Sequence, residues 1–246
     1  NAKNHLARNF ILNVDIENFF ESIRVEAVAD AFLYLGCKDE IAEILAKICT
    51  LNGFLAQGLS TSPVLANIAC REMDQDLFNL SKLYQCEFTR YADDITFSGD
   101  GNIPSKILIE EIFNKYEFKL NNKKYKIQKR GQGQYVTGLT VFDKEYPRLP
   151  KKIKKNLRLV LYFANKYGFE NHLKKNNIDM EDSDLILEQI DKIGGWIKFM
   201  FCVEPKLALK FLILWTNILT KYNLEISPEK PRKGHLPLSL RLDKDK

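Results

Sequence analysis

The chain has 246 residues, 45% of them hydrophobic and 28% charged, a globular composition that excludes a disordered or collagen-like protein. A chain this long buries a core without disulfide or zinc staples, as one large domain or two ordinary ones. Lys and Arg number 37 against 32 Asp and Glu, a net charge of +5, so where the positive charge falls matters more than its sum. No apolar run reaches the roughly 18 residues of a membrane span, and the best candidate, 207–219, is broken by Lys210. The five cysteines are scattered and never spaced as CxxC, which argues against a disulfide framework and a zinc site and for a reducing, cytoplasmic setting. The chain opens on Asn1 rather than Met, which suggests an internal start.

Phe10-Ile-Leu-Asn-Val-Asp15 reads as a buried strand ending in a carboxylate. Helices are predicted over about 22–34 and 39–52, followed by a loop at 57–63. That loop feeds a helix in which Leu65, Ala69, Met73, Leu77 and Leu80 share one apolar face. Residues 85–98 read as a hairpin with Ala92-Asp93-Asp94 at its turn. A short amphipathic helix, 107–116, precedes strand signals at 125–128 and 134–142. From about 150 only helices are predicted, near 151–167, 183–201 and 204–221, and 227–246 reads as an extended arm. The order implies an α+β domain followed by a helical one, with a boundary near 147–150.

Asp15 ends an apolar strand, and Asp93 and Asp94 sit together at a hairpin tip. Two carboxylates at about 4 Å repel by about 4 kcal/mol at an effective dielectric near 20. A fold keeps such a cluster when a cation sits on it. Oxygen donors without neighbouring His or Cys suit Mg2+ or Mn2+, and two such ions roughly 4 Å apart are a device for nucleotidyl transfer. Taken singly, each Asp also fits a helix cap or an exposed turn. Two basic runs lack acidic residues: Lys123, Lys124, Lys126, Lys129 and Arg130, then Lys151, Lys152, Lys154, Lys155 and Arg158. On a helix, residues 151, 154, 155 and 158 share a face suited to phosphates, opposite Ile153, Leu157, Val160 and Leu161.

The motifs resemble those of reverse transcriptases. Tyr91-Ala-Asp-Asp94 matches their YxDD box, and Asn13-Val-Asp-Ile-Glu-Asn-Phe-Phe20 resembles their first metal motif. Gln57-Gly-Leu-Ser-Thr-Ser-Pro-Val-Leu-Ala-Asn67 resembles their QGxxxSPxLxN motif, and the three stand in the family order. Val136-Thr-Gly138 resembles the VTG element of retron reverse transcriptases, and Asn1-Ala-Lys-Asn-His5 their NAxxH element. The retron group is therefore the first choice, ahead of other bacterial defence-associated or group II intron-like enzymes. A looser likeness to the thumb lies around Gly194-Gly-Trp196 and Val203-Glu-Pro205.

The resemblance implies an RNA-directed DNA polymerase with a palm over 1–149, a helical thumb over 150–223 and a tail over 224–246. About 14 residues precede Asp15, so a fingers region would be absent from this sequence. The family pattern implies that Asp15, Asp93 and the Ile16 carbonyl hold two Mg2+ ions and that Asp94 completes the acidic site. Phe20 would exclude a sugar 2′-hydroxyl, with Phe19 the core residue of the pair. Gln57 and Gly58 would line the incoming dNTP. Lys124 would protonate the leaving pyrophosphate, although Lys123 and Lys126 are equally basic. Arg90, Tyr91, Val136, Thr137, Gly138, Lys151, Lys154, Lys155 and Arg158 become candidate RNA or DNA contacts. The retron group further implies a structured non-coding RNA as template and primer, a single-stranded DNA product, an effector protein and antiphage defence, and no membrane.

Overall fold

The computed structural model describes residues 1–175, 177–178 and 183–221; the predicted C-terminal arm lies outside them. The chain divides between Pro150 and Lys151 into two compact units. The first is an α+β unit, as expected, built on a four-stranded antiparallel sheet. Its strands are β1 (Phe10–Asp15), β4 (Glu87–Tyr91), β5 (Asp94–Gly99) and β6 (Lys126–Lys129), in the order β4-β5-β1-β6.

Side chains alternate across a strand, and here the alternation separates two chemistries. Leu12 and Val14 of β1 and Ile95 and Phe97 of β5 point to one face and are at most 1% exposed. Helices α2 (Val25–Tyr34), α4 (Ser62–Ala69), α5 (Arg71–Leu83) and α6 (Lys106–Lys115) supply the rest of that core, through Val28, Leu65, Leu77 and Phe113 among others. The other face carries Asn13, Asp15, Asp94, Thr96 and Ser98. It is partly roofed by a 3₁₀ turn, Ala2–His5, and a small hairpin, β7 (Tyr135–Val136) with β8 (Leu139–Thr140). Ala2, Ile11, Val136 and Val141 form a second, small core beneath this roof.

Several predicted boundaries shift for local reasons. The helix predicted to start near 22 is split into α1 (Phe19–Ser22) and α2, because Ile23 is extended between them. The helix predicted to reach 52 ends at Cys49, as α3 (Asp39–Cys49). A two-residue turn, Asn52-Gly53, then joins β2 (Thr50–Leu51) to β3 (Phe54–Leu55). Both turn residues have positive φ, 53° and 82°, the geometry that makes Asn-Gly a hairpin signal. The helix carrying Leu65 to Leu80 is interrupted at Cys70. The strand predicted over 134–142 is the β7–β8 hairpin, with Thr137 (φ 45°) and Gly138 (φ 80°) as its turn.

The second unit is helical: α7 (Lys151–Tyr167), α8 (Phe169–Lys175), α9 (Ser183–Phe201) and α10 (Pro205–Lys221), of which α8 was not predicted. Leu157 and Leu161 of α7 face its core as their spacing requires, and Phe169 meets Trp215 edge-on at 5.4 Å. Among the described residues no helix is long and apolar enough to cross a membrane, and all five cysteines are free.

Candidate active site

Antiparallel pairing of β1 with β5 sets Asp15 opposite Asp94. Tyr91 pairs with Asp94 across the next hairpin, which leaves Ala92-Asp93 as its two-residue turn. The Ile16 N–H donates to the Asp93 carbonyl at 3.1 Å and closes the end of the sheet. On the far side, Glu17 donates to the Lys119 carbonyl and Asn121 to the Asp15 carbonyl, both at 2.9 Å. Those flanking bonds turn the peptide groups of Ile16 itself toward the Asp93 hairpin. Two motifs some eighty positions apart are thus brought to one strand end.

Asp15 is 3% exposed and its carboxylate is fully engaged. Lys124 Nζ stands 2.6 Å from Oδ2, and Asn121 Nδ2 donates to Oδ1 at 3.1 Å. Of the three lysines that compete in the sequence, Lys124 is the one on the carboxylate. The turn that aims it is local: Lys124 N–H donates to the Asn121 carbonyl, and Lys123 N–H to the Asn121 side chain. Asn121 escaped the sequence reading, and the only trace of it there is the run Leu120-Asn-Asn-Lys-Lys124. The hydrogen bond to Asp15 raises the Lys124 pKa above the usual ammonium value, helped by the charges of Asp15, Asp93 and Asp94. Burial, then the charges of Asp93 and Asp94's partner Asp15, push the Asp94 carboxyl up. The site is acidic and partly buried, and Lys124 supplies the cation.

Among the described residues no three acidic, His or Cys side chains converge as a preformed metal cage. Asp15 is turned onto Lys124 and Asn121. The donors available are nonetheless all hard oxygens, and an ammonium already rests where positive charge is favoured, so the residues fit a divalent ion in chemistry.

The remaining predicted residues fall into distinct settings. Phe19 is buried and stacks on Phe118, while Phe20 is half-buried and meets Phe19 edge-on at 5.2 Å. Gln57 and Gly58 are exposed, and Gly58 adopts φ 90° with open space around it. The Ser62 hydroxyl donates to the Ala56 carbonyl and so folds that loop onto the start of α4. Tyr91, Thr137 and Gly138 are exposed, as are Lys151, Lys155 and Arg158.

Three predicted nucleic-acid contacts are placed otherwise. Val136 is 1% exposed in the small core. The side chain of Lys154 is only 17% exposed and pairs with Glu204 at 3.0 Å. Arg90 has a side chain 5% exposed and grips Asp74 of α5 with two bonds of 2.6 Å. Its third contact is to the Ala92 carbonyl at 3.1 Å, at the turn residue held at φ 52°. Arg90 therefore braces the acidic hairpin from below, and Asp74, which has no local sequence signal, is its anchor.

His5 plays the matching part from above. It is fully buried, with Nδ1 2.6 Å from Ser98 Oγ and Nε2 2.8 Å from Thr89 Oγ1, so it ties the 3₁₀ turn to both strands of the hairpin. Ala2 meanwhile packs in the same small core as Val136. The NAxxH and VTG elements are parts of one roof over the site face.

The reverse transcriptase (RNA-dependent DNA polymerase) family matches residues 1–141. The chain belongs to that family. Its curated relatives include several retron enzymes. The retron Ec86 reverse transcriptase of Escherichia coli is 28% identical over 90% of this chain and 64% of its own length. The retron Mx65 enzyme of Myxococcus xanthus is 33% identical over 57% of this chain and 38% of its own. The retron Ec73 enzyme of Escherichia coli is 30% identical over 88% and 67%. This retron-like reverse transcriptase chain thus spans about two fifths to two thirds of the length of these relatives.

Two outcomes test the struts. Asp74→Ala strands the Arg90 guanidinium in the core, and urea unfolding should show a loss of about 3 kcal/mol, the cost of breaking a buried pair from one side. Burial holds His5 at a pKa of about 4, below its ordinary 6.5, with the nearby positive charge of Arg8 adding to the effect. The unfolded chain therefore binds the proton first. The contribution of neutral His5 is present above pH 6.5 and is lost as pH falls from there toward 4, about 3 kcal/mol in all. Urea midpoints measured across that window should fall for the parent and flatten for His5→Gln.

Proposed function

We propose that the chain is the catalytic part of an RNA-directed DNA polymerase that joins deoxynucleotides by two-metal nucleotidyl transfer. The meeting of Asp15, Asp93 and Asp94 at one strand end, with Lys124 on Asp15, carries this reading. Asp15, Asp93 and the Ile16 carbonyl would hold Mg2+, or Mn2+, with Asp94 beside them. Bound there, the ions would acidify a primer 3′-hydroxyl and offset the charge growing on the pyrophosphate. The chain's own groups supply the rest. Asp15 must exchange its ammonium partner, which frees Lys124 to face the leaving pyrophosphate and donate its proton; the raised pKa keeps that proton in place until then. Phe20 would close the sugar 2′ side, and Gln57 and Gly58 would line the nucleotide.

The retron relatives support a narrower reading. The template and primer would be a structured non-coding RNA, the product single-stranded DNA, and an effector protein would act with the enzyme in antiphage defence in the cytoplasm. Exposed Thr137 and Gly138 at the roof turn, and Lys151, Lys155 and Arg158 of the helical unit read as thumb, would contact that RNA or its hybrid. Their phosphate contacts would weaken steeply with salt.

Purified protein with its RNA, dNTPs and Mg2+ should extend DNA, and the double variant Asp93→Asn, Asp94→Asn should be at least about 1,000-fold slower, as loss of several kcal/mol of charge stabilisation requires. Equal extension by both removes the site assignment. Phe20→Ala should raise ribonucleotide use relative to dNTPs by at least about tenfold; an unchanged ratio in a competition assay removes the gate and favours an RNA-making palm.

A further inference from the structure

All four polar atoms of Asn121 are engaged, and every one of its bonds serves Asp15 or the turn that follows. Its N–H donates to the Asp15 carbonyl at 2.9 Å, and its own carbonyl accepts from the Lys124 N–H at 3.1 Å. In the side chain, Oδ1 accepts from the Lys123 N–H at 3.2 Å and Nδ2 donates to Asp15 Oδ1 at 3.1 Å. These bonds fix which way the amide faces. Turned over, it would set its oxygen against the Asp15 carboxylate and its NH2 against the Lys123 N–H, so both contacts favour the orientation observed.

The two partners of the Asp15 carboxylate are held differently. The Lys124 ammonium reaches Oδ2 at the end of a flexible four-carbon stem, and its side chain is 58% exposed. Asn121 has a short side chain, and its backbone is bonded to the backbone of Asp15 itself. Next to it, Leu120 forms a bridge with Ile16. When the carboxylate exchanges its cation, Lys124 leaves and Asn121 stays. A donor fixed on Oδ1 then holds the plane of the carboxylate, so that Oδ2 is presented in one direction whichever cation it meets. Hydrogen-bond partners that orient a metal-ligating side chain in this way are worth about 10–100-fold in metal affinity or activity.

We propose that Asn121 is a positioning residue, which fixes the rotation of the Asp15 carboxylate and so readies it to bind a divalent ion. The proposal rests on the two-metal reading of the site. The test is Mn2+ binding to the purified protein, followed by loss of the free-ion electron paramagnetic resonance signal, together with DNA extension on its RNA as Mg2+ is varied. Asn121→Ala keeps both backbone bonds and should leave the circular dichroism spectrum unchanged. It should weaken Mn2+ binding, and raise the Mg2+ concentration for half-maximal extension, by about tenfold, with the dNTP KM unchanged at saturating Mg2+. Asn121→Ser, whose hydroxyl can still accept from the Lys123 N–H but is too short to reach Asp15, should behave as Asn121→Ala. Lys124→Met, in the same turn, should tighten Mn2+ binding because the competing ammonium is gone, even as extension slows. That opposition of sign separates positioning from damage to the turn. Parental Mn2+ binding and Mg2+ dependence in Asn121→Ala or in Asn121→Ser overturns the proposal, as does weakened Mn2+ binding in Lys124→Met as well as Asn121→Ala. A parent that neither extends DNA nor binds Mn2+ more tightly than Asp93→Asn, Asp94→Asn overturns the two-metal reading itself, and the proposal with it.

Discussion

The register of β1 against β5 is the constraint on which the first unit depends. A strand repeats every two residues, so a slip by one would exchange its two faces. In the observed register Leu12 and Val14 join Ile95 and Phe97 in the helix-covered core. The same register sends Asn13, Asp15, Asp94 and Thr96 to the opposite face. Burial of the apolar set therefore places the carboxylates without any attraction between them. Hydrophobic packing supplies the free energy that holds like charges close, which is why the site sits at the end of a strand buried along its length.

Electrostatics then decides how the site is held. Asp15 has lost its water and is compensated by Lys124 and Asn121, both from the segment after α6. Below the sheet a buried arginine is neutralised by Asp74 before it can act on the carboxylates. Above it, His5 is kept neutral by burial and bonds two hydroxyls. The hairpin bearing Asp93 and Asp94 is thus braced on both faces by groups that leave the site acidic overall. A positive φ at Ala92, unusual for a residue with a Cβ, is tolerated because Arg90 holds its carbonyl.

The roof over the site face has a comparable economy. Two short elements more than a hundred residues apart share one small core, through Ala2 and Val136. Gln128 and Gln134 stitch the β7–β8 hairpin to the sheet: Gln128 accepts from the Tyr135 N–H at 2.7 Å, and Gln134 donates to the Arg8 carbonyl at 2.9 Å. What the hairpin presents outward is its turn, Thr137-Gly138. Tyr135 of β7 is exposed as well, whereas Val136, between it and the turn, is buried.

The elements themselves were largely legible in the sequence. Period-two and period-3.6 patterns marked β1, the β4–β5 hairpin, α5, α6 and the three long helices of the second unit, because a side chain's burial in one element depends on local spacing. The acidic trio was singled out by the resemblance of its motifs to those of reverse transcriptases, since residue type alone left a cap or a turn open for each Asp. Individual roles within a pattern were not legible. Arg90, Lys154 and Val136 looked like nucleic-acid contacts, and Asp74, Glu204 and Ala2 turned them into internal partners. Nothing in Arg90's neighbourhood along the chain names Asp74, which arrives from a helix packed behind the strand. Similarly, three lysines near position 124 are equivalent as letters, and only the turn at Asn121 selects one for Asp15. The sequence by itself determined which family the chain resembles and which segments carry that family's motifs. Tertiary structure alone decided which charges face the acidic site and which are consumed in holding it, because that choice depends on partners brought together by packing, not by position in the chain.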